Sequence, residues 1–227
     1  MRAEDKPSHS PLQVAEVKIP PLGLPGTLRE PSNPRGIVVF AHGSGSSRHS
    51  PRNVYVAEAL GRAGFATLLF DLLTTDEEMD RANVFDIPLL STRLAAAVDW
   101  TAGFERTQGL PIGLFGASTG AAAALVAAAE LAEQVAAVVS RGGRPDLAGT
   151  ALARVTAPTL LIVGGADVEV LRLNRAAYAL LAGPKELTIV PGATHLFSEP
   201  GALDMVVDAA GGWFERYLDE ARATERR

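Results

Sequence analysis

"GLFGASTGAAAALV", residues 113–126, runs an apolar segment into a serine set between two glycines and out into an alanine-rich segment. Its centre, "GASTG" at 116–120, matches G-x-S-x-G. The pattern has a steric logic. The serine backbone is forced into an unfavourable conformation at a tight strand-to-helix turn, so that its hydroxyl projects above a sheet. Small flanking residues let strand and helix crowd together. Ser118 is either a nucleophile on such a turn or a polar residue in a glycine-rich bend, and the motif alone does not choose. The flanking context fits the first reading, so the rest of the chain has to supply the partners a serine nucleophile needs.

Outward from this stretch, short apolar runs alternate with helix-period segments, the pattern of a largely parallel sheet with crossover helices. The strands are "GIVVFAHG" (36–43), "FATLLFDL" (65–72), "LPIGLFGAS" (110–118), "VAAVVSRG" (135–142), "PTLLIVGG" (158–165) and "KELTIVPG" (185–192). Apolar nearly throughout, they read as buried on both faces. "LQVAEVKI" (12–19) alternates and reads as an edge strand, with "GTLREP" (26–31) as its hairpin partner. Helices are expected at 50–64, opened by Ser50 and Pro51 and closed by Gly64, and at 88–105, 119–133, 170–182 and 202–222. Residues 74–87, the longest polar connection, read as a lid or a loop. One domain over 12–222 follows a charged, Pro/Ser-rich stretch at 1–11 that reads as a disordered tail.

A serine hydroxyl is a poor nucleophile until a base takes its proton, and that base is usually a histidine held by a carboxylate. In this kind of architecture the acid and then the histidine follow the nucleophile in chain order. His195, in "VPGATHLF" just beyond the last expected strand, is the one histidine after Ser118. Asp167 follows "LLIVGG" at the end of the preceding strand; a helix N-cap is its competing role. Glu169 is the rival acid, but it falls where the next helix starts. The candidate triad is Ser118, Asp167 and His195.

Acyl transfer also needs two N–H groups aimed at the developing oxyanion. Thr119, directly after the nucleophile, supplies one, and the turn in "VVFAHGSGSS" (38–47) supplies the other from Ser44 or Gly45. A phosphate-cradling loop is the competing reading of "HGSGSS", but it lacks the lysine of a Walker A motif and contains no G-x-G-x-x-G. His42 reads as a structural turn residue.

Composition narrows the class. The 227 residues are 47% hydrophobic and 21% charged, the balance of one globular domain, and the net charge of −5 gives no footprint for nucleic acid. There is no cysteine, which removes disulfides, a thiol nucleophile and Cys-ligated metal. The N-terminus has no apolar run of a signal peptide, and Glu130 and Glu133 interrupt the longest apolar stretch. These features lead us to expect a soluble cytoplasmic protein without membrane or nucleic-acid partners.

Taken together, "VVFAHGSGSS", "GASTG", "LLIVGGAD" and "VPGATHLF" resemble the α/β-hydrolase superfamily, in particular small dienelactone-hydrolase-like members with few insertions. The resemblance covers roughly residues 12–220. It implies an α/β-hydrolase fold with a minimal cap, Ser118 as nucleophile, Asp167 as acid, His195 as base and Ser44 with Thr119 as oxyanion donors. Dienelactone hydrolases proper carry cysteine where this chain has Ser118, which shifts the expectation to a serine hydrolase of small esters, lactones or thioesters. Neither metal nor organic cofactor is expected. An acyltransferase using the same triad, or a hydrolase-shaped binding module, are the alternatives.

Arginines concentrate in loops that should surround Ser118. "SSRHSPR" follows one parallel strand and "SRGGRPD" another, which brings Arg48, Arg52, Arg141 and Arg144 to the end of the sheet where ligands bind. Pairing with Asp71, Asp86 or Asp146 is one role for them. Gripping an anionic substrate, through Arg48 or Arg141, is the other.

Overall fold

The computed structural model describes residues 12–225, so the tail expected at 1–11 lies outside the described residues. The strands are β1 (Gln13–Ile19), β2 (Leu24–Glu30), β3 (Ile37–Ala41), β4 (Ala66–Phe70), β5 (Ile112–Ala117), β6 (Val135–Arg141), β7 (Thr159–Gly164) and β8 (Lys185–Val190). The helices are α1 (Pro51–Arg62), α2 (Thr75–Glu78), α3 (Ile87–Gly103), α4 (Thr119–Glu130), α5 (Val168–Leu180) and α6 (Ala202–Glu225).

β3, β4, β5 and β7 are buried at every residue, as β-branched and apolar runs covered on both faces must be. Alternate side chains feed two cores. Val39, Ala41 and Leu114 pack with Leu94, Val98 and Leu125 beneath α3 and α4. Val38, Phe40 and Phe115 pack with Val56, Leu60 and Phe214 beneath α1 and α6. The result is three layers, helices over both faces of one sheet.

The sheet runs β1-β2-β4-β3-β5-β6-β7-β8, with β1 and β2 antiparallel and every pair from β4 onward parallel. The order matters for the site. From β3 the chain goes first to β4 on one side and then returns to β5 on the other, so the loops leaving β3 and β5 diverge over a crevice. The loop at 42–50 and Ser118 occupy that crevice.

Two expectations shift. β8 was expected to be buried on both faces, but among the described residues it is a sheet edge and only Val190 is fully covered. The connection at 74–87, expected as a lid or a loop, is not a plain loop. It folds as α2, opened by a capping box between Thr74 and Glu77, then a single 3-10 turn at Asn83–Phe85. A 3-10 run at Pro145–Arg154, kinked at Gly149, is a further element, burying Pro145, Ala148, Ala151 and Leu152. Among the described residues no helix is long and apolar enough to cross a membrane.

Candidate active site

Ser118 sits between β5 and α4 with φ 51° and ψ −122°, the left-handed side of backbone space that a serine rarely enters. The turn is held from β6: Ser118 N–H donates to Arg141 O at 3.2 Å, and Ser118 O accepts from Ala121 N–H at 3.1 Å and Arg144 N–H at 3.0 Å. The flanking glycines are steric requirements. A Cβ on Gly116 would stand 2.4 Å from Ala121 Cα, and one on Gly120 would stand 2.2 Å from Ala41 O. Strand, turn and helix close on each other only because both side chains are missing.

Asp167 occupies the N-cap position of α5, the competing role its residue type suggested, yet its side chain makes no cap bond. The carboxylate instead accepts from His195 Nδ1 at 2.8 Å. With Nδ1 committed as the donor, Nε2 is left as the proton-accepting nitrogen. Glu169, the rival acid, is exposed and forked to Arg172, with Nη2 to Oε1 at 2.7 Å, and that bond holds its carboxyl below the usual range. The loop carrying His195 is braced as well. Thr194 Oγ1 donates to Glu199 at 2.6 Å, and buried Phe197 adopts φ 53°. Ser118 and His195 face one cavity of about 280 Å3. All three expected triad residues thus converge at the ends of β5, β7 and β8.

The expected oxyanion donors are close together. Thr119 is the first residue of α4, so its N–H has no intrahelical acceptor. Ser44 N–H, however, is engaged: it donates to Thr119 Oγ1 at 2.9 Å. The hydroxyl of Thr119 therefore ties the loop after β3 to the start of α4 and holds Ser44 N–H beside Thr119 N–H. This contact joins residues 75 positions apart, and no local motif announces it. His42 plays the structural part expected of it. Nδ1 donates to Gly43 O at 3.0 Å, Nε2 accepts from Leu72 N–H at 3.1 Å, and burial pushes its pKa below the ordinary value.

The arginines divide. Arg48 pairs with Asp71 through its side chain, and its backbone N–H also donates to Asp71, at 2.7 Å; it does not line the Ser118 cavity. The expectation that Arg48 grips substrate gives way to its acidic neighbour across the β4 end. Arg144 pairs with Asp146 at 2.7 Å. Arg141 does line the cavity, and so does Arg52, which the sequence placed nearby without a role. A second cavity of about 580 Å3 adjoins the first and shares Gly43, Ser44, Ser46, Ser50 and Arg52 with it. Among the described residues no group of three or more His, Cys, Asp or Glu is placed to hold a metal ion.

Residues 24–220 match the model of the dienelactone hydrolase family. A dienelactone hydrolase from Anabaena variabilis is 55% identical, superposes with a TM-score of 0.88, and is matched over 92% of this chain and 99% of its own. Est1E from Butyrivibrio proteoclasticus is 18% identical with a TM-score of 0.75, over 90% and 98% of the two chains, and shares the fold. Two Mycobacterium tuberculosis proteins named "Putative phosphoribosyl transferase" are 60% identical over 218 residues, 95% of this chain and 49% of theirs. The chain thus spans about half the length of these curated relatives. It belongs to the dienelactone hydrolase family.

Proposed function

We propose, from the premise that the chain is a hydrolase of the dienelactone hydrolase family, that it cleaves small carboxylic esters, lactones or thioesters through an acyl-Ser118 intermediate. One observation carries the reading: the Asp167 carboxylate leaves its N-cap position uncapped and binds His195 Nδ1 at 2.8 Å, over the cavity that Ser118 also faces. A surface histidine or a structural aspartate has no reason for that arrangement. The name of the M. tuberculosis relatives belongs to proteins about twice as long as this chain.

In the proposed reaction His195 Nε2 takes the Ser118 proton as Oγ bonds to the acyl carbon. The carbonyl electron pair moves onto oxygen, where Thr119 N–H receives it; Ser44 N–H joins only by leaving Thr119 Oγ1. As the oxyanion collapses, the bond to the leaving group breaks and His195 returns the proton to the departing alcohol or thiol. Water repeats the sequence on the acyl-enzyme and regenerates Ser118 with release of the acid. Asp167 keeps the Nδ1 tautomer and stabilises the transient imidazolium.

A panel of p-nitrophenyl esters of rising acyl length tests the reading. Wild type hydrolyses the short members, and Ser118→Ala lowers kcat by roughly 10^4-fold or more. Equal rates for the two proteins would refute it.

A further inference from the structure

The Ser118 cavity holds an unmatched positive charge. Arg141 ends β6 and is only 7% exposed. Its Nη2 donates to Asn53 Oδ1 at 3.2 Å, and its guanidinium carbon lies 5.9 Å from the centre of the Phe197 ring. Nε and Nη1 are buried with no partner. Arg52, on the first turn of α1, lines the same cavity, and its Nε is also buried with no partner. Among the described residues neither arginine forms an ion pair, whereas Arg35, Arg48, Arg93, Arg144 and Arg172 all do. No Asp or Glu lines this cavity.

A buried guanidinium without a carboxylate carries a desolvation penalty, and a second cation beside it adds repulsion. Both effects push the Arg141 pKa down to about 10, which leaves it charged at neutral pH. Packing does not account for a buried, unpaired Arg141 with half-buried Arg52 beside it in the Ser118 cavity.

We propose that Arg52 and Arg141 form a subsite for a phosphate monoester group carried by the substrate, next to the acyl carbon that Ser118 attacks. The inference rests on the acyl-hydrolase reading for its second half only. Charge matching selects the anion. A phosphate monoester brings about −1.5 to −2 charges and three acceptor oxygens at neutral pH, enough for both guanidinium groups and their open N–H donors. A single carboxylate leaves one cation uncompensated. Ser44 and Ser46 add hydroxyl donors on the same wall, and the adjoining larger cavity, which shares Arg52, takes the body of the molecule.

The test uses Ser118→Ala protein, so that binding is read without turnover and stands apart from the catalytic assignment. Calorimetric titrations compare phenyl phosphate, benzoate and benzamide. Phenyl phosphate binds at least about tenfold more tightly than benzoate, and benzoate more tightly than benzamide. Adding Arg141→Met or Arg52→Gln weakens phenyl phosphate by about tenfold or more, the loss expected for charge-assisted hydrogen bonds. Arg141→Met also melts no lower than its parent, because it removes an uncompensated buried charge. If that variant does not fold, Arg52→Gln, at a half-buried helix start, carries the same comparison. Phenyl phosphate binding no better than benzoate overturns the phosphate assignment. Binding that is unchanged in both arginine variants, or in Arg52→Gln where Arg141→Met does not fold, overturns the subsite.

Discussion

α1, α2 and α3 start differently from α4 and α5, although all five have a Ser, Thr or Asp in the N-cap position. Ser50 accepts from Asn53 N–H, Thr74 from Glu77 N–H and Asp86 from Leu89 N–H, each satisfying one donor of the first turn. Ser118 and Asp167 make no such bond. The Ser118 hydroxyl is turned to the cavity, and the Asp167 carboxylate to His195. The same residue types in the same positions cap three helices and, in the proposed reaction, serve chemistry at two. Each uncapped start forgoes about 1 kcal/mol, and Ser118 adds the strain of φ 51°. A functional polar residue here is recognised by the local bond it withholds.

That contrast can be broken by substitution. Asp167→Ala is expected to lower kcat by about 10^4-fold, by analogy with loss of the orienting acid in other triads, while shifting stability by less than about 1 kcal/mol. Steady-state kinetics and thermal melting on one preparation check both; a large drop in melting temperature would return Asp167 to the structural class.

Thr119 stands between the two groups, because its side chain bonds a neighbouring loop and its backbone faces the site. Thr119→Val removes the acceptor of Ser44 N–H and frees the loop, which should lower kcat by about tenfold to a hundredfold with a smaller change in KM. Thr119→Ser restores the bond and most of the rate. A valine variant as fast as the serine variant would mean that the loop holds its place without this hydroxyl.

The smallest effect belongs to the capping helices. Asp86→Ala should destabilise the fold by about 1 kcal/mol and leave ester hydrolysis close to wild type. Denaturant unfolding beside the kinetic assay measures it. A loss of activity matching that of Asp167→Ala would erase the distinction between the two sets of helix starts.

The central strands and the order Ser118, Asp167, His195 were readable in sequence because both depend on local patterns: apolar runs bounded by glycine, and polar residues at strand ends. What escaped depends on contacts between distant segments. β8 looks like an interior strand until its neighbours are counted. The bond from Ser44 to Thr119 joins two strand ends, and only the sheet order brings them together. The arginines show the limit most plainly. Arg48 follows β3 and Arg141 ends β6, both near basic and serine-rich letters, yet Asp71 pairs with one and, among the described residues, no carboxylate pairs with the other. Arg52 gave no separate signal, since its importance lies in facing Arg141 from the first turn of α1.

The central claim is that Ser118 is an activated nucleophile, with Asp167 and His195 diverted from structural work to serve it. Fluorophosphonate labelling read by intact mass and peptide mapping tests that claim most directly. The account predicts a single adduct on Ser118 in wild type, none in Ser118→Ala, and much slower labelling in Asp167→Ala. A folded wild-type protein that takes up no label, or takes it up equally after Ser118→Ala, would contradict it.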